Sequence, residues 1–231
     1  MSDFIDVTTP DGVFRAYCAR PAAKTAPAIV VLQEIFGINA DLKATCEWLA
    51  RQGFIAVCPD LFWRIEPGVS LSKLDEAEWQ RGFQFYQKFD RERGVADIGA
   101  TLTLTRKVPG CSGKVGIMGF CLGGLMTFLS AARLSPDAAA EYYGAETEKY
   151  LTEAAKIRCP TVIHLAAADE YMPPEAQRKI VDTVKSNSKI TVHSYPGCQH
   201  AFARHNGAHY DAAAAELANS RTIELFRKNL A

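Results

Sequence analysis

Six short runs of this 231-residue chain are apolar on both pleats, and stretches of helical period separate most of them. The runs are "PAIVVLQE" (27–34), "GFIAVCPD" (53–60), "KVGIMGF" (114–120), "AAAEYYG" (138–144), "PTVIHLAAAD" (160–169) and "KITVHSYPG" (189–197). A strand with two apolar faces has to be covered on both sides. Strands alternating with helices make βα units, so the pattern predicts an α/β fold: a mostly parallel, twisted sheet with helices on both faces. A seventh strand is expected at "GVFRAYCA" (12–19). The length suits one domain over residues 1–231 and does not require a second.

The helical segments carry their own punctuation. "NADLKATCEWLARQG" (39–53) sets Leu42, Thr45, Cys46 and Leu49 on one face between an Asn/Asp start and a Gly stop. "SKLDEAEWQRGFQFYQKFD" (72–90) has Trp79, Phe83, Tyr86 and Phe89 at about helical spacing. "ERGVADIGATLTLTRKV", "PEAQRKIVDTVKSN" and "GAHYDAAAAELANSRTIELFRKNL" complete the set.

Composition excludes several classes of function. Lys+Arg and Asp+Glu balance at 26 each, so no basic excess points to nucleic acid and no charge run to a membrane surface. The N-terminus lacks the basic and apolar regions of a signal peptide, and no apolar run approaches the roughly 20 residues of a membrane span. The seven cysteines have no C-x-x-C pairs, and several lie inside apolar runs. They read as reduced, buried thiols of a cytoplasmic protein. No Walker-type loop or G-x-G-x-x-G calls for a nucleotide cofactor. His205 and His209 lack a third partner at metal-ligand spacing and are expected on a surface helix.

Parallel sheets place ligands at the carboxyl ends of their strands, and three chemically loaded segments fall there. "GFCLGG" (119–124) follows a strand and precedes a helix, fitting the G-x-nucleophile-x-G elbow with Cys121 in the centre. A helix N-terminus favours a thiolate there, and the N–H of Leu122 would meet a developing oxyanion. Asp169 closes the strand at 160–169, and His200 lies in the loop after 189–197. Histidine is the type that takes and returns a nucleophile's proton, and a buried carboxylate fixes its tautomer. The order Cys121, Asp169, His200 is the nucleophile–acid–base order of α/β-hydrolases. The rival use of such an elbow, in glutamine amidotransferases, needs a Glu two residues after the histidine, where this chain has Phe202. Glu34 ends the strand at 27–34, and the Ile35 N–H stands where this fold takes its second oxyanion donor.

On "QEIFGIN" (33–39), "AVCPDLF" (56–62), "GKVGIMGFCLGG" (113–124), "YYG" (142–144), "AADEYMP" (167–173) and "GCQHAFAR" (197–204), the chain resembles the dienelactone hydrolases, the carboxymethylenebutenolidases, nearly end to end. The resemblance implies a single-domain α/β-hydrolase fold and a cofactor-free, metal-free hydrolase of small lactones or esters, acting as a monomer. It implies a Cys121–His200–Asp169 triad, with Glu34 taking the thiol proton and the backbones of Leu122 and Ile35 forming the oxyanion hole. Arg204 would bind a substrate carboxylate, and Tyr142 and Phe36 would line the pocket. Two departures bear on the substrate. The family's second carboxylate-binding arginine falls on Trp79, with Arg81 two residues on, and two positions along a helix turn a side chain by about 200°. Ala201 stands where a serine is typical. A non-enzymatic small-molecule receptor or thiol redox sensor on the same scaffold, with Cys198 as resolving thiol, is the alternative.

Overall fold

In the computed structural model, residues 2–72 and 75–231 are described. The chain is an α/β protein with an eight-stranded, mostly parallel mixed sheet, and it divides into two compact units, Met1–Gly116 and Ile117–Ala231. In the first unit the strands run in the order β1-β2-β4-β3: β1 (Ser2–Thr9), β2 (Gly12–Ala19), β3 (Ala26–Leu32) and β4 (Ile55–Pro59). Strand β1 was not expected from the sequence. Its inward-facing residues alternate with exposed ones, and it pairs antiparallel with β2 from Ser2↔Ala19 to Thr9↔Gly12. Such a half-solvated hairpin lacks the apolar signature that marks the interior strands. β2 and β4 pair antiparallel, β3 and β4 parallel.

Helices α1 (Ala40–Arg51), α2 (Glu76–Lys88) and α3 (Arg91–Thr105) begin at Asn39, Asp75 and Asp90. Each of these side chains accepts from first-turn N–H groups that would otherwise lack a partner. α2 shows where periodicity misleads. Its buried face is Gly82, Phe85 and Phe89, with Phe85 stacked on Phe62. Trp79, Phe83 and Tyr86 instead form a partly exposed ladder of near-parallel rings 5.7 and 6.1 Å apart. Residues 73 and 74 of the helix expected over 72–90 lie outside the described residues.

β5 (Cys111–Phe120) carries the division between the units, and in the second unit the order continues β5-β6-β7-β8, with β6 (Ala138–Tyr142), β7 (Thr161–Ala166) and β8 (Ile190–Tyr195). β6/β7 and β7/β8 pair parallel. Helix α4 (Leu122–Arg133) is buried almost all round, from Leu122 through Ala131, as an apolar helix in a core must be. α5 (Pro174–Val184) opens on a proline, and α6 (Ala212–Leu230) is capped by Asp211.

One buried polar network ties this unit together. His164 of β7 bonds Tyr195 of β8 at 2.8 Å and Thr222 of α6 at 3.0 Å. Tyr142 of β6 bonds the same Thr222 at 2.7 Å and donates to Asn219 at 3.0 Å. Burial, with the nearby charges of His193 and Arg221, holds the His164 imidazole well below its ordinary pKa, so it stays neutral. Among the described residues no helix is long and apolar enough to cross a membrane.

Candidate active site

The turn between β5 and α4 is one residue, Cys121. Its backbone sits at φ 54°, ψ −115°, a region that costs an L-residue about 1–3 kcal/mol and persists only where the surroundings impose it. Here they do. The Cys121 N–H donates to the Tyr142 carbonyl at 3.1 Å, and the Cys121 carbonyl accepts from Leu125 at 3.1 Å. Gly124 brings α4 against β6 so closely that a Cβ there would lie 2.5 Å from the Tyr142 oxygen and 2.8 Å from the Gly144 Cα. The network that anchors Tyr142 to α6 thereby also holds the elbow. No side chain caps α4, so the amides from Leu122 onward are left to an incoming anion. Cys121 itself is partly exposed.

Asp169 and His200 come from the loops after β7 and β8, joined by an Ala168 N–H to Cys198 carbonyl bond of 2.8 Å. Both side chains are buried, and His200 Nδ1 donates to Asp169 Oδ2 at 2.8 Å. The other carboxylate oxygen accepts the Tyr171 N–H at 2.8 Å. His209 Nδ1 donates to the His200 carbonyl at 3.1 Å, and Ala201 takes a left-handed φ of 63° to turn the chain away. With Nδ1 committed, Nε2 is the nitrogen left for proton transfer. It is buried with no hydrogen-bond partner at good geometry, while Cys121 is near enough for its charge to act on the ring.

Burial alone would lower the His200 pKa. The Cys121 charge and the Asp169 hydrogen bond outweigh it, and the imidazole is raised from 6.5 to about 10. Two tyrosines meet the same ring edge-to-face: the buried Tyr143 at 5.1 Å and the exposed Tyr171 at 4.9 Å. Neither was singled out from the sequence. The "YYG" stretch held the signal, but Tyr142 was assigned the pocket, whereas its side chain is fully buried and its hydroxyl is taken up by α6.

The remaining expected residues are placed as follows. Arg204 is partly buried in the turn after His200, its N–H bonded to the Ala201 carbonyl at 2.9 Å, close enough to Tyr171 to lower that phenol's pKa. Glu34, Ile35 and Phe36 lie in the first unit, in the loop after β3, with Glu34 the least buried of the three. α2 packs directly on this loop, since a Cβ at Gly82 would come within 2.8 Å of the Ile35 carbonyl oxygen. Trp79 lies in the aromatic ladder, and Arg81 pairs with Glu66. His205 and His209 sit in turns, not on a helix, because Asn206 at φ 59° breaks the segment and α6 starts only at its Asp211 cap. Among the described residues no group of three or more potential metal ligands forms. All seven cysteines are free; burial pushes Cys18 up to about 11 and also raises Cys58, Cys159 and Cys198.

Residues 14–230 match the model of the dienelactone hydrolase family. The chain belongs to that family. The carboxymethylenebutenolidase of Pseudomonas putida is 39% identical over 97% of this chain and 95% of its own length. That of Cupriavidus pinatubonensis is 36% identical over 97% and 96%. A Klebsiella pneumoniae protein assigned to the dienelactone hydrolases shares the fold at a TM-score of 0.88, 23% identity and coverage of 99% and 98%. As a member of this family the chain is a hydrolase of the carboxylic-ester class.

Proposed function

We propose that the protein hydrolyses small lactones or esters, some bearing a carboxylate, through a thioester on Cys121. The observation that carries this reading is the 2.8 Å His200–Asp169 hydrogen bond, with Cys121 near enough for its charge to act on the same imidazole. The Cys121 thiolate attacks the carbonyl carbon, and the oxyanion forms against the Leu122 N–H at the uncapped start of α4. To Glu34 we assign acceptance of the Cys121 thiol proton and its return to sulfur once the thiolate is restored, and to the Ile35 N–H the second oxyanion donor, as the family pattern implies. Arg204 holds a substrate carboxylate as a charge-assisted anchor. The C–O bond then breaks, the leaving oxygen takes the proton of His200 Nε2, and a thioester remains.

The electrostatics of His200 time the second half. While the thiolate is present, its charge helps keep the imidazole protonated. Once sulfur is acylated that anion is gone, and burial pulls the pKa down. The imidazole then accepts a proton from the attacking water, with Asp169 stabilising the resulting imidazolium. The intermediate collapses, the C–S bond breaks, and thiolate and carboxylic acid are restored. This scheme needs no cofactor, metal or second protomer, and takes the 231 residues as one catalytic domain in the cytoplasm. The sensor alternative loses its resolving thiol, since burial and the Asp211 charge raise the Cys198 pKa.

The test is Cys121→Ala on enol-lactones and p-nitrophenyl esters. Turnover is expected to vanish, while the wild type quenched at steady state carries one acyl group on Cys121 by mass spectrometry. Full turnover by the variant excludes the covalent route.

A further inference from the structure

Tyr171 packs on the His200 ring and still reaches solvent, at 48% exposure. Its N–H is bonded to Asp169 at 2.8 Å, so the backbone that aligns the carboxylate also fixes the tyrosine. Its ring meets the imidazole edge-to-face at 4.9 Å and 75°. Among the described residues its hydroxyl has no hydrogen-bond partner. Tyr143, which also meets the imidazole, is fully buried and packs on Phe202.

The groups around the phenol are those of the site. Burial raises its pKa first, then the charges of Glu170, Cys121 and Asp169, while Arg204 lowers it. It therefore stays protonated across the working pH range, which is the form that donates. In the reaction proposed above, the leaving oxygen must lie against the imidazole that hands it a proton. A phenol packed on the same imidazole, exposed, and near enough to Cys121 for that charge to act on it is within reach of that atom.

We infer that Tyr171 is a substrate-contacting residue whose hydroxyl donates a hydrogen bond to the leaving oxygen, bringing esters and lactones with unactivated alkoxide leaving groups within the enzyme's range. In that step the C–O bond breaks and its electron pair goes to the leaving oxygen. His200 supplies the proton from Nε2, and Tyr171 keeps its own. An enolate or nitrophenolate is stable enough to leave unaided, whereas an alkoxide gathers more charge in the transition state and gains more from a donor. The inference rests on the Cys121–His200–Asp169 reading.

The test compares wild type and Tyr171→Phe on p-nitrophenyl, phenyl, trifluoroethyl and ethyl acetates. All four pass through one acetyl-thioester, so differences in kcat/KM report the step in which the leaving group departs. The Phe variant keeps the ring on His200 and removes only the hydroxyl. Ethyl acetate should lose about tenfold or more, the size of a hydrogen bond to a charged oxygen, and p-nitrophenyl acetate no more than about twofold, so dependence on leaving-group pKa steepens. Equal loss on all four, no loss on any, or a shifted pH profile with p-nitrophenyl acetate would overturn the inference, the last by reducing Tyr171 to a packing residue. Tyr171→Leu, which also removes the ring, should shift that profile. Inactive Cys121→Ala beside a uniform Tyr171→Phe loss rejects the phenol's role alone; active Cys121→Ala rejects the parent reading.

Discussion

Asp169→Asn changes one atom in a buried contact and exposes how His200 is run. The carboxylate accepts from His200 Nδ1 at 2.8 Å on one oxygen and from the Tyr171 N–H at 2.8 Å on the other. An asparagine keeps its oxygen on Tyr171 and turns its NH2 toward Nδ1. Nδ1 must then accept, and the neutral ring carries its proton on Nε2, where it cannot receive one from water. The charge effect adds to this. The rise of the His200 pKa from 6.5 to about 10 amounts to roughly 4–5 kcal/mol of preference for imidazolium, shared between Cys121 and Asp169. Losing the carboxylate removes part of that preference, and with the wrong tautomer as well kcat should fall by about 10³-fold or more. The loss should fall on deacylation, where no thiolate assists. Rapid mixing with p-nitrophenyl acetate should show a burst of nitrophenolate of one equivalent, then a nearly flat phase, with acetyl-enzyme on the quenched protein. A loss under tenfold with no burst would refute the argument that Asp169 governs the basicity of His200.

Two further outcomes test the scaffold. Glu141 is fully buried beneath the Gly144 turn, accepts from the Thr147 hydroxyl at 2.7 Å, and is raised by burial from 4.5 to about 8. Its folded pKa exceeds its unfolded one, so its contribution is complete below about pH 4.5 and is lost as pH rises toward 8. Glu141→Gln should therefore flatten the fall in urea stability between pH 5 and 8 by about 2–4 kcal/mol, and parallel curves for the two proteins would contradict this. Gly124→Ala forces a Cβ into the Tyr142 carbonyl and the Gly144 Cα at 2.5 and 2.8 Å, both backbone. It should cost about 3 kcal/mol or more, read as a lower midpoint in thermal unfolding together with lost activity; an unchanged midpoint would show that the elbow can shift freely.

Much of this architecture could be read in advance, because buried strands, helix caps and strand-end chemistry are local properties. The runs at 114–120 and 160–169 became β5 and β7, and the residues at their ends became Cys121 and Asp169. What escaped depends on partners far along the chain. β1 is strand only because β2 lies beside it. On α2, Phe83 and Phe85 have similar chemistry, and only Phe62 and the Ile35 loop decide which of them turns inward. The exchange of Tyr142 for Tyr143 has the same origin. Adjacent residues at a strand end point in opposite directions, so a one-residue difference decides whether a ring meets α6 or His200.

Under the proposed mechanism, that alternation also bears on why a sulfur nucleophile suits this site. Tyr142 and Tyr143 diverge from one peptide, the first locking β6 to α6 and the second lying against His200, while the Tyr142 carbonyl holds the strained Cys121. Elbow and imidazole are therefore fixed by the same short stretch, and their spacing cannot relax independently. Around a buried imidazole, charge on the neighbouring sulfur weighs heavily, as its raised pKa records. In the proposed cycle the anion formed on sulfur disappears on acylation. Without that charge the imidazole would be left to burial and Asp169. The swing in basicity that separates attack from hydrolysis is thus built from the thiolate's own charge.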